Sequence, residues 1–172
     1  MILHGSSVRE WTYVSDWKEV VGMVPDKEAQ KRNAGHTIGS EVDEGKKTIL
    51  IYSRDLNFSF SFSAVFQDRF NVITTTNPGM LESFVAHYSA DLVIVDADPS
   101  ESMIEQIGNL KGLNKDLPIF ALYVYSQRER ELDRSIRGQV DSVFYKPFEI
   151  NVISKRIEEL LPSYRGRASL MP

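Results

Sequence analysis

The residues best equipped for chemistry sit at the ends of short apolar runs. In Asp91-Leu-Val-Ile-Val-Asp96, four aliphatic residues deliver a carboxylate, Asp96. In Tyr145-Lys146-Pro147-Phe148 an ammonium, Lys146, precedes a proline, and Ser53-Arg54-Asp55 follows the run 48–52 with a hydroxyl, a guanidinium and a second carboxylate. Brought together, Arg54, Asp96 and Lys146 would form one cluster of opposed charges. Arg54 near Asp96 would be attracted by roughly 4 kcal/mol at about 4 Å and an effective dielectric of about 20, before desolvation costs. Other chemistries lack their residues. The chain has no cysteine, so thiol nucleophiles and thiolate zinc sites are excluded. His4, His36 and His87 are scattered without metal-ligand spacing. No set of nucleophile, base and orienting group is evident, so the expectation is not an enzyme.

The elements that must position these residues follow from periodicity. Runs at 48–52, 70–75, 92–95, 119–124 and 140–145 are short and rich in β-branched or aromatic residues, as expected of strands buried on both faces. Helical spacing fills the gaps. Asn77-Pro78 caps the stripe Leu81, Phe84, Val85, Tyr88, and Met103, Ile104, Ile107, Leu110 run up to a terminal Gly112. Ser126 and Glu129 form a capping box ahead of Leu132 and Ile136, and Ile153, Ile157, Leu160 and Leu161 mark the last helix. The segment 56–62 alternates with period two and reads locally as a strand. A parallel crossover is needed there, so a helix is expected, with Phe58, Phe62, Val65 and Phe66 toward the sheet. Strands alternating with helices predict an α/β fold: a doubly wound, five-stranded parallel sheet of flavodoxin-like, receiver type with an amino-terminal helical extension. In such sheets ligands and chemistry gather at the carboxyl ends of the strands, where the residues named above fall.

Within that frame the span 47–161 resembles the receiver domain of two-component response regulators, on the strength of the acid ending the third strand and the Lys-Pro-Phe ending the fifth. The resemblance implies that Asp96 stands at the phosphoacceptor position and that Lys146, before a proline that is typically cis, stands where the family's lysine contacts the phosphoryl group. It also implies Mg²⁺ held by two acids ending the first strand, and those positions here read Ser53 and Arg54. A guanidinium repels Mg²⁺, so Arg54 is expected to stand in for the metal, with Asp55 capping the next helix. The family's small hydroxyl residue falls on Tyr123 and its swinging aromatic on Val143, so the switch positions depart as well. Pro99 follows Asp96 by three residues where the family usually spaces it by four. The expected reading is a pseudo-receiver that acts by protein–protein interaction without a cofactor. The alternative is a phosphorelay response regulator modified at Asp96, with Mg²⁺ bound through Asp55 or Asp98. A flavodoxin-like enzyme would need a phosphate-cradling loop after the first strand, and Ser53-Arg54-Asp55-Leu56-Asn57 has no glycine.

Of 172 residues, 42% are hydrophobic and 26% charged, with a formal charge of −4. That is an ordinary globular composition with no general pull toward nucleic acid. No apolar run approaches the roughly 20 residues of a membrane span and no secretory leader is evident, so a cytoplasmic protein is expected. The arginines 128, 130, 134 and 137 alternate with Glu129, Glu131 and Asp133, which reads as a solvated helix face. Four segments are expected: 1–25 with a short amphipathic helix, 26–46 a polar linker, 47–162 the α/β domain, and 163–172 a tail too short for an output domain. Leu56 and Phe60 fall on the side of their helix away from the sheet. The stripe Trp17, Val20, Val21, Val24 or a partner protein, a second copy of the chain included, is expected to cover them.

Overall fold

A computed structural model describes residues 37–39, 43 and 45–161. The stripe containing Trp17 and the tail 163–172 lie outside the described residues. The elements run β1 (Thr37–Gly39), β2 (Thr48–Ser53), α1 (Leu56–Phe66), β3 (Asn71–Thr75), α2 (Leu81–Tyr88) and β4 (Leu92–Asp96), then α3 (Glu101–Leu113), β5 (Ile119–Tyr123), α4 (Arg130–Arg137), β6 (Ser142–Tyr145) and α5 (Ile150–Leu160). They form one sheet in the order β1-β3-β2-β4-β5-β6. The five strands β2 to β6 are parallel, and strand order reverses at β2, with β3 on one side and β4 on the other.

Period-two alternation divides the core between two faces. Leu50, Val93, Val95, Ala121 and Tyr123 point toward α2, α3 and α4 and pack with Leu81, Met103, Ile107 and Ile136. Ile49, Ile51, Ile94, Phe120 and Leu122 point the other way, against Phe62 and Phe66 of α1 and Ile153 and Ile157 of α5. Acids at the opposite ends of the strands help fix the parallel register. Asp91, just before β4, accepts from the backbone N–H of Thr48 at 2.8 Å and pairs with Lys47 at 2.7 Å. Asp141, just before β6, accepts from the N–H of Ile119 at 2.9 Å and pairs with Lys111 at 3.0 Å.

The ambiguous segment is α1. Its serines and phenylalanines are mediocre helix formers, so tertiary burial decides the conformation. Phe62 and Phe66 are buried and stacked with ring centroids 4.4 Å apart, each contributing roughly 1.5–3 kcal/mol. Asp55 caps the helix, accepting from the N–H groups of Asn57 at 2.9 Å and Phe58 at 3.2 Å.

Three expectations need correction. Residues 37–39, read as linker, form β1, antiparallel to β3 with Thr37 opposite Thr75. A strand is held by backbone hydrogen bonds, which a judgement from apolar content does not register. Gly112 does not end α3, which continues to Leu113 and closes on an Asn114 N–H to Leu110 bond of 3.1 Å. Val65 is exposed, because the buried face of α1 is centred on Ser59, Phe62 and Phe66.

Candidate functional site

β2 and β4 flank the point where strand order reverses, and their last residues, Ser53 and Asp96, are register partners. Both side chains therefore leave the sheet on the same side. Asp96 is 6% exposed. Its Oδ2 accepts from the Ser53 hydroxyl at 2.8 Å, and its Oδ1 meets Lys146 Nζ at 2.5 Å. A backbone bond of 2.8 Å from Lys146 N–H to the Tyr123 carbonyl anchors the lysine beside β5, and the Lys146–Pro147 bond is cis. The ammonium also lies 5.1 Å from the centroid of Phe58, whose ring meets Phe148 edge-on at 6.3 Å. That cation–π contact is a second restraint on the charge. Over these strand ends opens a cleft of about 420 Å³, lined in part by Tyr52, Arg54, Asp98, Ser100, Met103 and Lys146.

Asp96 and Lys146 thus come together as the sequence suggests, but Arg54 does not join them. It is exposed and makes no ion pair among the described residues. One position beyond Ser53, it falls outside the register that aligns Ser53 with Asp96. The second oxygen of Asp96 is held by the Ser53 hydroxyl, a contact the sequence reading did not foresee. The N–H of Asp55 also donates to Ser53 Oγ at 3.0 Å, so one hydroxyl links the acid to the start of α1.

The residues do not compose the carboxylate cluster that Mg²⁺ takes in receivers. Both oxygens of Asp96 already have protein partners, Asp55 turns its carboxylate to its own helix, and Asp98 is exposed. Among the described residues no group of three acidic or histidine side chains is placed to hold a metal ion.

Tyr123 and Val143, expected at the switch positions, lie on the other face. Tyr123 is 2% exposed, and its hydroxyl donates to Asp133 Oδ1 at 2.9 Å. Val143 is half-buried against the same core, and the aromatic two residues on, Tyr145, shares its side of the strand. The Tyr145 hydroxyl donates to the same Asp133 oxygen at 2.6 Å and accepts from Arg137 Nη1 at 3.1 Å. Tyr123 and Tyr145 are register partners with centroids 5.5 Å apart, and Tyr125 packs edge-on against Tyr145 at 5.3 Å. Burial pushes the Tyr123 pKa well above its usual 10, helped by the hydrogen bond to Asp133 and that carboxylate's charge. Tyr145 is also raised, by burial first and then by the bond to Asp133, with Arg137 opposing.

Asp133 corrects the reading of its helix as a solvated face, since it is 8% exposed. The signal was present. Asp133 lies beside Leu132 and three residues before Ile136, inside the apolar stripe of α4, where spacing calls for a buried residue.

No protein-family model matches the sequence, and no curated protein matches it. Solved structures share its architecture. A response regulator receiver modulated diguanylate cyclase from Pelobacter carbinolicus is 24% identical with a TM-score of 0.55, over 67% of this chain and 92% of that one. A two-component response regulator from Clostridium difficile gives 11%, 0.58, and coverage of 70% and 100%. A protein from Burkholderia pseudomallei, named as pilus assembly-related, gives 17%, 0.56, and coverage of 70% and 93%. At such identities the likeness establishes the fold: β2 to α5 have the flavodoxin-like architecture of receiver domains. Among the described residues no helix is long and apolar enough to cross a membrane.

Proposed function

We propose that this protein is a signal-transduction module of the pseudo-receiver kind, which works through protein contacts and without Mg²⁺-dependent phosphorylation of Asp96. The observation that carries this reading is the closure of Asp96. The acid is buried, one oxygen is bound by the Lys146 ammonium and the other by the Ser53 hydroxyl, and the acid pair that would recruit a metal is replaced by Ser53 and Arg54. Phosphoryl transfer depends on positioning and on neutralising charge around the transferred group. Here the neutralising cation is already spent on the acceptor itself.

A binding module fits the rest of the strand-end surface. Val124 and Tyr125 are exposed hydrophobic residues immediately after β5, Val124 lining the cleft and Tyr125 packed on Tyr145, and such residues suit a protein partner better than a small ionic one. Tyr123, at one of the two switch positions, is tied through Asp133 to Tyr145 in a fixed contact, so a partner would read a standing surface.

Intact-mass measurement after incubation with acetyl phosphate and Mg²⁺ tests the reading. No mass gain is expected, and Mg²⁺ with beryllofluoride should not raise the melting temperature. A stable aspartyl phosphate on Asp96 would instead establish the phosphoacceptor alternative.

A further inference from the structure

The outer face of α1 carries an inference that does not rest on the chemistry at Asp96. α1 contains no charged residue in its 11 positions. With Phe62 and Phe66 turned inward, Leu56 (37% exposed), Phe60 (56% exposed) and Ala64 lie toward solvent at i, i+4 and i+8. Residues four apart form one continuous ridge on a helix. The adjoining exposed positions, Asn57 and Ser61, are small, so a second backbone can approach closely. A solvated helix face is ordinarily polar and charged, and this one carries no charge and exposes Leu56, Phe60 and Val65.

We propose that this face is the interface of a two-fold symmetric homodimer, in which α1 of one copy packs antiparallel on α1 of the other. The ridge is self-complementary in that arrangement. A two-fold axis at Phe60 sets the large Leu56 of each copy against the small Ala64 of its partner, and Phe60 meets Phe60 at the centre. Isologous contacts of this kind close on themselves and leave no surface for further growth. Antiparallel alignment also places the positive end of each helix dipole beside the negative end of the other.

The charges at the two ends of α1 agree with this register. Arg54 and Asp68 are both exposed, and neither makes an ion pair among the described residues. Arg69, by contrast, is held within its own chain by Glu158 and Ser154. Arg54 stands two residues before the first residue of α1 and Asp68 two residues after its last. An antiparallel two-fold axis at Phe60 therefore sets the Arg54 end of each copy beside its partner's Asp68 end. A parallel arrangement would set like against like. One helix pair buries less than the roughly 1,200–2,000 Å² of a standard stable interface, so the dimer is expected to dissociate on dilution.

Sedimentation equilibrium of the full chain, from micromolar to near-millimolar concentration, tests the proposal. The average mass should rise reversibly from one chain toward two. Phe60→Ser, at an exposed position where circular dichroism should stay unchanged, should weaken the dimer on the order of a hundredfold, since both copies lose their central contact. Asp68→Arg should weaken it about tenfold, and adding Arg54→Asp should restore it to within roughly threefold. A chain monomeric at every concentration overturns the proposal and leaves the face to a different polypeptide. A dimer indifferent to Phe60→Ser overturns it equally, and failure of the charge exchange to rescue overturns the antiparallel register.

Discussion

Asp96 and Asp133 are both buried carboxylates beside the carboxyl ends of the strands, on opposite faces of one sheet. Asp96 is satisfied by an ion pair with Lys146 and a single hydroxyl. Asp133 has no cation within salt-bridge distance among the described residues and is satisfied by two phenols, with Arg137 one bond further out on Tyr145. The partners differ in kind. Lys146 is a long flexible chain, one-third exposed, whereas Tyr123 and Tyr145 are rigid rings rooted in adjacent strands. A centre whose counter-charge is tethered by four methylenes can be opened by a partner that offers a better contact. A centre clamped by two rings is a strut that pins α4 to β5 and β6. The same buried charge therefore makes one face of the sheet adaptable and the other fixed.

The largest effect that would break this comparison is on the ion pair. Lys146→Met leaves a buried carboxylate facing an apolar chain, and should cost roughly 3 kcal/mol, near the low end for a broken buried pair because the lysine is partly solvated. A thermal melt should then fall by on the order of 10 °C. A change under about 2 °C would show that Asp96 is solvated well enough to need no cation.

Next comes Tyr123→Phe, which deletes one of two donors to Asp133 within the core. It should cost about 2 kcal/mol, the penalty of under-satisfying a buried charged acceptor. This variant also sharpens the comparison through pH. Because Tyr123 and Tyr145 are raised above their usual 10, their contribution is complete below pH 10. It drains as pH climbs above 10, where the unfolded chain releases these protons first. Denaturation midpoints should therefore decline above pH 10 in the native protein and decline less steeply in Tyr123→Phe. Equal slopes would mean that the strut does not depend on the protonated phenol.

The smallest effect belongs to Tyr145→Phe, at a half-buried site where water can take over part of the hydrogen bonding. A loss of about 1 kcal/mol is expected, readable as a shift in urea midpoint. A loss matching that of Tyr123→Phe would make the two phenols equivalent and remove the distinction between core and rim.

Much of the adaptable centre was legible in the sequence. The parallel strands announce themselves as β-branched runs, and the strand-end rule then selects Asp96 and Lys146 without any knowledge of side-chain geometry. What sequence spacing could not supply was which of Ser53 and Arg54 would face Asp96, because that depends on register with a strand 43 residues away. The fixed centre was missed for a different reason. Alternating signs along α4 suggested solvent, and only the apolar stripe through Leu132 and Ile136 hinted that one of the acids was inside. α1 shows the converse, where a local period-two pattern was overruled by the stacking of Phe62 and Phe66 on the sheet.

The three residues of β1 also decide how this sheet can meet other chains. A bare edge strand offers unpaired N–H and C=O groups to any extended peptide, whether a legitimate ligand or a misfolding neighbour. By pairing Thr37–Gly39 with Ile73–Thr75, the chain occupies the edge of β3 nearest the strand ends with its own backbone. Among the described strands the margins of the sheet are then the three-residue β1 itself and, on the opposite side, β6, where Ser142–Tyr145 also has a neighbour on one side alone. A binding peptide seeking main-chain contacts would find β3 covered, and would have to pair with the short β1 or with β6 beside Tyr145.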